Sequence, residues 1–331
     1  MILLVIRRPS EISIKGSGSL IIKMKDSNKI IEKPLRDIDA LLIIGKKVSI
    51  SSSVPPTLSK IGIPLSIISS GHVSLLMNPI IVRNNNYRAA QYQMQKIKQL
   101  KVAYEYIKSK ILGYRNLLRY YNIKAPKISF LSLDGVSDAE KYEEMIRIWE
   151  AELSATLWKN ILKAIKGERL EVLRSKYGFN GRSPRHPDPF NKSLSVMYAV
   201  IYSIALKTLI AAGLDPTYGF LHRGRYNIPL VFDFSEMFKP VAVQATIALI
   251  NRGKIPSLDK DGELTQEDVN KAIKFFYDFA SMRNTATGKT VYQEIYIKSY
   301  CLASYLIGRC SIDKMIFIWD RKHYKRRSKR G

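Results

Sequence analysis

Around residue 80 the period of the apolar residues changes, and this change constrains the fold more than any other feature of the chain. Before it, short apolar runs recur between turn signals: Leu3 to Ile6, Leu20 to Met24, Ile30 and Ile31, Leu41 to Ile44, Ile63 to Ile68, and Val73 to Met77. Spacing this tight leaves room for strands and for one short helix near Pro56 to Ile61. Asp26-Ser27-Asn28 sits between two runs like a hairpin loop, and Gly16-Ser17-Gly18-Ser19 reads as a flexible turn. Asn78-Pro79 and Asn84-Asn85-Asn86 then punctuate the chain. From Tyr87 to Tyr121 proline is absent and Gly113 is the only glycine, so the pattern there is helical.

Further helices follow. Ser137-Asp138-Ala139-Glu140 has capping-box spacing and precedes a periodic run that ends near Gly167. A third helix is expected over about Asn191 to Ala212, stopped by Gly213. Thr265-Gln266-Glu267-Asp268 starts another, and Tyr292 to Ile307 is the last. A chain of 331 residues exceeds what one core usually organises. The expected fold is therefore α+β, with a small β-rich domain over residues 1–80 and a larger all-α domain over residues 81–331.

Charge narrows the function. The chain carries 54 Lys and Arg against 28 Asp and Glu, a net charge of +26. Such a surplus calls for a polyanionic partner, with nucleic acid first and an anionic membrane surface second. Ser193 to Leu206 is apolar for 14 residues, short of the about 20 a spanning helix needs, and reads as a buried core helix. The only cysteines, Cys301 and Cys310, exclude a disulfide-rich scaffold and a CxxC zinc ribbon. In Met1 to Arg8 the charges follow the apolar residues, the reverse of a secretory signal, so a soluble cytoplasmic protein is expected.

The basic residues are spread through the body. Between Pro79 and Lys127 there are 11 Lys or Arg, one acid (Glu105) and seven interleaved tyrosines. This segment is either a surface for phosphates and bases or a solvated face whose tyrosines are core. The last ten residues add six basic groups, yet removing them still leaves +20.

Three places hold candidate chemistry. Thr287-Gly288-Lys289-Thr290 resembles the end of a phosphate-binding loop, but Arg283 stands where its first glycine belongs and no apolar strand leads in. Glu150 shares a helical row with Ile146, Leu153, Leu157 and Ile161. A carboxylate there needs either a cation or a buried salt bridge, to Arg147 or to a distant lysine. His222, Asp233 and Glu236 form the third place; Asp233 and Glu236 would share a face if helical. Two carboxylates and an imidazole in so basic a chain point to a divalent metal acting on a phosphodiester.

Four stretches in order carry a family resemblance. Asp188-Pro189-Phe190-Asn191 opens an apolar helix, Ala211 to His222 reads AAGLDPTYGFLH, Leu230 to Pro240 reads LVFDFSEMFKP, and Glu150 to Trp158 reads EAELSATLW. Together they resemble the CRISPR-associated adaptation integrase family, the universal spacer-acquisition enzymes. That family's glutamate helix usually reads E-G-x-A-[AS]-R-x-Y-[FW]; here Ala151, Leu153, Ala155 and Leu157 depart from it, so a phosphate contact made by its Arg would come from elsewhere. The resemblance implies a metal-dependent DNA endonuclease and integrase. Glu150, His222 and Glu236 would be ligands of Mg²⁺ or Mn²⁺, and Asp233 an acidic neighbour; a two-residue shift would pass Glu150's role to Glu152. His222 is alternatively a general acid or base. Arg83, Arg88, Arg223 and Arg225 are candidate DNA contacts. The resemblance also implies double-stranded and branched DNA as substrate and a homodimer built through the β-rich domain. Its further partner would be a small ferredoxin-like second adaptation protein bridging two dimers. A structure-specific repair-type nuclease and a non-catalytic DNA-binding module remain the other two readings.

Overall fold

A computed structural model describes residues 3–321, apart from 17, 28, 39, 45–46, 62, 70–71, 77–84, 133–134, 136–137, 224–226 and 253–254. Its N-terminal part consists of β1 (Leu3–Ile6), β2 (Ser10–Lys15), β3 (Ser19–Met24), β4 (Ile30–Pro34), β5 (Ala40–Ile44), β6 (Val48–Ile50), α1 (Val54–Ile61), β7 (Leu65–Ser69) and β8 (His72–Leu76). Two four-stranded sheets result, ordered β1-β5-β7-β8 and β4-β3-β2-β6. In the first, β1, β5 and β7 run parallel and β8 returns antiparallel. The unbroken apolar run of β5 suits a strand covered on both faces. In the second, β2, β3 and β4 form an antiparallel meander and β6 lies parallel to β2. Gly16, at φ 58°, turns the β2–β3 hairpin, a conformation costly for a side chain. One apolar core joins Ile12, Leu20 and Ile22 to Leu41, Ile43 and Leu65, with Val54 and Leu58 of α1. The criterion of apolar runs passes over β2, whose Ile12 and Ile14 alternate with Glu11, Ser13 and Lys15 as in a strand buried on one face.

Helices take over beyond β8, as the change of period predicts. They are α2 (Asn85–Gln93), α3 (Lys96–Tyr120), α4 (Ala139–Ile161), α5 (Gly167–Tyr177), α6 (Pro189–Ala211), α7 (Pro229–Ser235), α8 (Lys239–Arg252), α9 (Gln266–Ala280), α10 (Val291–Leu306) and α11 (Ile312–Met315). Several boundaries differ from expectation. The single helix expected over 87–121 is two, divided at Met94 and Gln95. Asp138 caps α4 by accepting from the amides of Glu140 (2.8 Å) and Lys141 (3.3 Å), one residue later than a Ser137 cap would sit. Gly167 opens α5 instead of ending the preceding run. Gly213, at φ 84°, ends α6 as expected, and Thr265 caps α9 from the amide of Asp268 at 3.3 Å. The apolar window of α6 is 67% buried, which makes it a core helix.

The chain divides into two compact units, each discontinuous in sequence: Met1–Met94 with Val200–Asp233 and Ser299–Ser311, and Gln95–Ala199 with Phe234–Lys298 and Ile312–Gly331. In the second unit α3 is the central helix, with α4, α8 and the 3₁₀ turn Glu236–Phe238 against it. Gly113 permits the closest approach. A Cβ there would lie 2.7 Å from Cγ of Pro240, at the start of α8. The segment after α11 closes the same core with Phe317 and Trp319, which are fully buried. Its backbone is tied down at several points. Asn116 Nδ2 donates to the Trp319 carbonyl at 2.9 Å, Asn284 Nδ2 to the Ile318 carbonyl at 2.9 Å, and the Phe317 amide approaches Met237 Sδ at 3.3 Å.

Replacing Gly113 with alanine should overpack this contact and lower stability by about 1–3 kcal/mol. Urea unfolding measures it, and an unchanged midpoint would mean that α3 and α8 do not meet this closely.

Candidate functional site

Glu150 lies near the middle of α4, and its carboxylate meets a lysine from α3. Lys110 Nζ is bonded to Glu150 Oε1 and stands 2.7 Å from Glu236 Oε2. Glu236, the first residue of the 3₁₀ turn before α8, also accepts from Lys239 Nζ through Oε1. The Lys110 and Glu236 side chains are 6% and 3% exposed, while Glu150 is 27% exposed. Burial acts against the ammonium of Lys110, but Glu236 and Glu150 outweigh it and hold its pKa above the ordinary lysine value. The buried salt bridge from Glu150 thus goes to a distant lysine; Arg147 pairs with Glu143 at 2.8 Å instead. Glu152 is exposed on another side of α4.

Aromatic side chains wall this group. Tyr114, one turn beyond Lys110, is hydrogen-bonded to Tyr198; burial, then Tyr198 and Glu236, push its phenol well above the ordinary value. Lys239 lies 5.7 Å from the Tyr198 ring and Arg182 5.5 Å from the same ring. Arg182 is held by Asn191, whose side chain accepts from it at 3.0 Å and donates to the Gly181 carbonyl at 2.9 Å. Asp188 in turn accepts from the Asn191 amide at 2.8 Å and so caps α6. The Asp188 to Asn191 motif is the knot that fixes the Arg182 loop.

His222 and Asp233 form a pair in the other unit. Asp233 Oδ1 accepts from His222 Nδ1 at 2.6 Å and from the His222 amide at 3.0 Å. Its Oδ2 takes the amides of Phe220 and Leu221, at 2.5 and 3.0 Å. Asp233 therefore builds the loop that presents His222 and fixes its tautomer, with Nε2 as the acceptor nitrogen of the neutral ring. The residues before it are tied to α2: Gln91 Nε2 donates to the carbonyls of Asp215 and Tyr218, both at 2.9 Å, and Tyr92 donates to Asp215 Oδ2 at 2.5 Å. Burial and then Asp215 raise the Tyr92 phenol to about 12, so it remains a donor at neutral pH.

Among the described residues, no three His, Cys, Asp or Glu side chains gather in a group able to hold an ion. The cation between Glu150 and Glu236 is the chain's own Lys110. Two hard carboxylate oxygens converging on one positive charge are nevertheless the donor chemistry that a hard divalent ion uses.

Other candidates fare differently. Arg88 is half-buried in α2, and Arg223 is exposed beside His222; Arg83, Arg225 and the basic residues of 322–331 lie outside the described residues. Within the basic, tyrosine-rich segment, Tyr104, Tyr106 and Tyr114 are core, so base stacking is not their role. The loop at Thr287–Thr290 is a closed turn, with Arg283 donating to the Gly288 carbonyl at 2.6 Å, and not a phosphate cradle. Sequence reasoning missed Lys110 and Lys239. Lys110 was open to the argument used for Glu150, because Tyr106, Ile107, Gly113 and Tyr114 surround it at helical spacing and are all buried.

The CRISPR associated protein Cas1 family model matches residues 3–276. The chain belongs to the Cas1 family. Among relatives, CRISPR-associated endonuclease Cas1 2 of Saccharolobus solfataricus is 30% identical over 221 residues, 66% of either chain. CRISPR-associated endonuclease Cas1 of Korarchaeum cryptofilum is 26% identical over 315 residues, 89% of this chain and 91% of the relative. A casposase bound to an integration product shares the fold at a TM-score of 0.75 and 22% identity, over 97% of this chain and 96% of that one. A CAS1 protein from Thermotoga maritima does so at 0.73 and 15%, over 97% and 100%. The family match ends before Phe317 and Trp319, which the fold builds into the same core.

Asp233→Asn should remove one acceptor of the His222 loop and leave a buried donor unsatisfied, at a cost of about 1–3 kcal/mol. Chemical unfolding reads the cost; full stability would show that the loop holds itself.

Proposed function

We propose that the chain is a metal-dependent DNA endonuclease and integrase that inserts short foreign DNA fragments into a CRISPR array in the cytoplasm. In that reaction a terminal 3′-hydroxyl of the fragment attacks a phosphodiester at the edge of a repeat. The observation that carries this reading is the convergence of Glu150 and Glu236, from separate elements, on one positive charge. Glu150, Glu236 and His222 would hold the ion, and two carboxylates with an imidazole suit Mg²⁺ or Mn²⁺. When bound, the ion supplies a Lewis acid that polarises phosphoryl oxygens.

The chain's own groups do the remainder. Asp233 keeps His222 in the tautomer whose Nε2 can face the ion or, where it does not ligate, take a proton from a hydroxyl and return it. Lys239 sets positive charge beside Glu236, where it offsets the charge that develops on a phosphodiester oxygen. The endonuclease names of the relatives and the casposase on its integration product support the reaction class. Double-stranded and branched DNA is the proposed substrate, and a homodimer through the β-rich domain the proposed assembly. A small ferredoxin-like adaptation protein is the proposed further partner, supported by a fold match, TM-score 0.66, to a Cas6-RT-Cas1–Cas2 complex.

Glu150→Gln is the decisive variant, because Lys110 keeps Glu236 as partner and the fold should survive. It should bind DNA normally without divalent metal and neither cleave nor join strands when metal is added; Glu236→Gln should also lose activity, but strips two lysines of a buried partner at about 3–5 kcal/mol. A Glu150→Gln protein that still cleaves in Mn²⁺ would pass the role to Glu152. Strand-transfer products with a 3′-hydroxyl donor, assayed beside cleavage, distinguish the integrase from a plain nuclease.

DNA affinity should fall steeply as salt rises from low to moderate, since each neutralised phosphate releases counterions. An affinity that stays flat across that range would contradict a role for the +26 net charge.

A further inference from the structure

Within the group of Lys110, Lys239, Glu150 and Glu236 the charges balance, two ammonium groups against two carboxylates. Its inner members are almost wholly buried, Lys110 at 6% and Glu236 at 3% exposure. A buried charge is tolerated only when balanced nearby. A divalent ion added to the two carboxylates while both lysines remain would bring the group to +2. That excess is removed in two ways: Lys110 leaves the carboxylates, or negative charge arrives from outside. A phosphodiester carries such charge and is drawn to the same lysines.

We propose that Lys110 is the internal counter-cation of this centre, and that it couples divalent-metal loading to the arrival of a DNA phosphate. The proposal rests on the metal-site reading above. Without DNA, Lys110 occupies the point on which both carboxylates converge and competes with the ion. With a phosphate present, the added negative charge offsets the excess, and metal and DNA favour each other's binding by the same factor. The carboxylates meanwhile do not face one another uncompensated in the metal-free protein, where two like charges would raise the cost of the fold. Lys110 is thus a positioning residue; its bonds are to Glu150 and Glu236.

The test measures Mn²⁺ binding by electron paramagnetic resonance, with the full chain, with and without an uncleavable phosphorothioate duplex. Wild type should bind Mn²⁺ at least about tenfold more tightly with the duplex, a difference of about 1.4 kcal/mol. Equal affinities overturn the coupling, and this arm needs no variant. Lys110→Met should bind Mn²⁺ about tenfold more tightly than wild type without DNA, and gain less from the duplex. Lys110→Arg, which keeps the charge, should bind no more tightly than wild type. A Lys110→Met protein, folded by circular dichroism, whose Mn²⁺ affinity does not exceed wild type overturns the role of Lys110. The failure of the metal-site reading looks different: no Mn²⁺ is then bound by any of the three proteins, with or without DNA, or Glu150→Gln binds it unchanged.

Discussion

A carboxylate with 3% exposure needs a positive charge or a full set of hydrogen-bond donors beside it, and at Glu236 two lysines meet that need. Lys110 reaches it from the middle of α3 and Lys239 from the next turn of its own segment. For Lys110 to arrive there, α3 must lie deep, and Gly113 lets the start of α8 come against it. Tyr114 and Tyr198 exclude water from the flank, which strengthens every charge interaction inside. The arrangement is worth little as net stability, because desolvation consumes most of the Coulombic gain. Its value is that two acids are kept at a fixed distance from one point.

How far the sequence foretold this can be read residue by residue. The change from strands to helices was legible because the periods 2 and 3.6 leave different apolar patterns, and β5, α6 and the Gly213 stop were read correctly. β2 was missed because alternation, unlike a run, is diluted by its polar positions. The apolar row around Glu150 is enough to expect a cation or a salt bridge to Arg147 or a distant lysine, and of these the structure supplies Lys110. Lys110 itself is one of many basic residues in the sequence, and charge totals hide a cation that has turned inward. Asp233 stands out in the sequence as an acidic neighbour of His222, but its service to the backbone is not legible there. A carboxylate that accepts from three consecutive backbone amides leaves no mark in residue spacing, only in the loop that it closes.

The two motif loops obey one rule. The Asp188 loop and the Asp233 loop each use a buried acid to satisfy backbone amides that would otherwise lack partners, and each fixes a polar side chain, Arg182 or His222, on irregular backbone. Loops can carry chemistry only when something rigid holds them, and here that is a helix cap in one case and a fourfold acceptor in the other.

Phe317 and Trp319 carry a consequence for the life of the polypeptide. They lie behind the turn that bears Glu236, with the Phe317 amide on Met237 and the Trp319 indole donating to Gln244 at 2.5 Å. A ribosome that has made residues 1 to 300 has therefore produced Lys110, Glu150, Glu236 and Lys239 but not the floor beneath them. The nascent chain carries these acids before it can hold them in place, so the packing around Glu236 is completed only once Trp319 has been made.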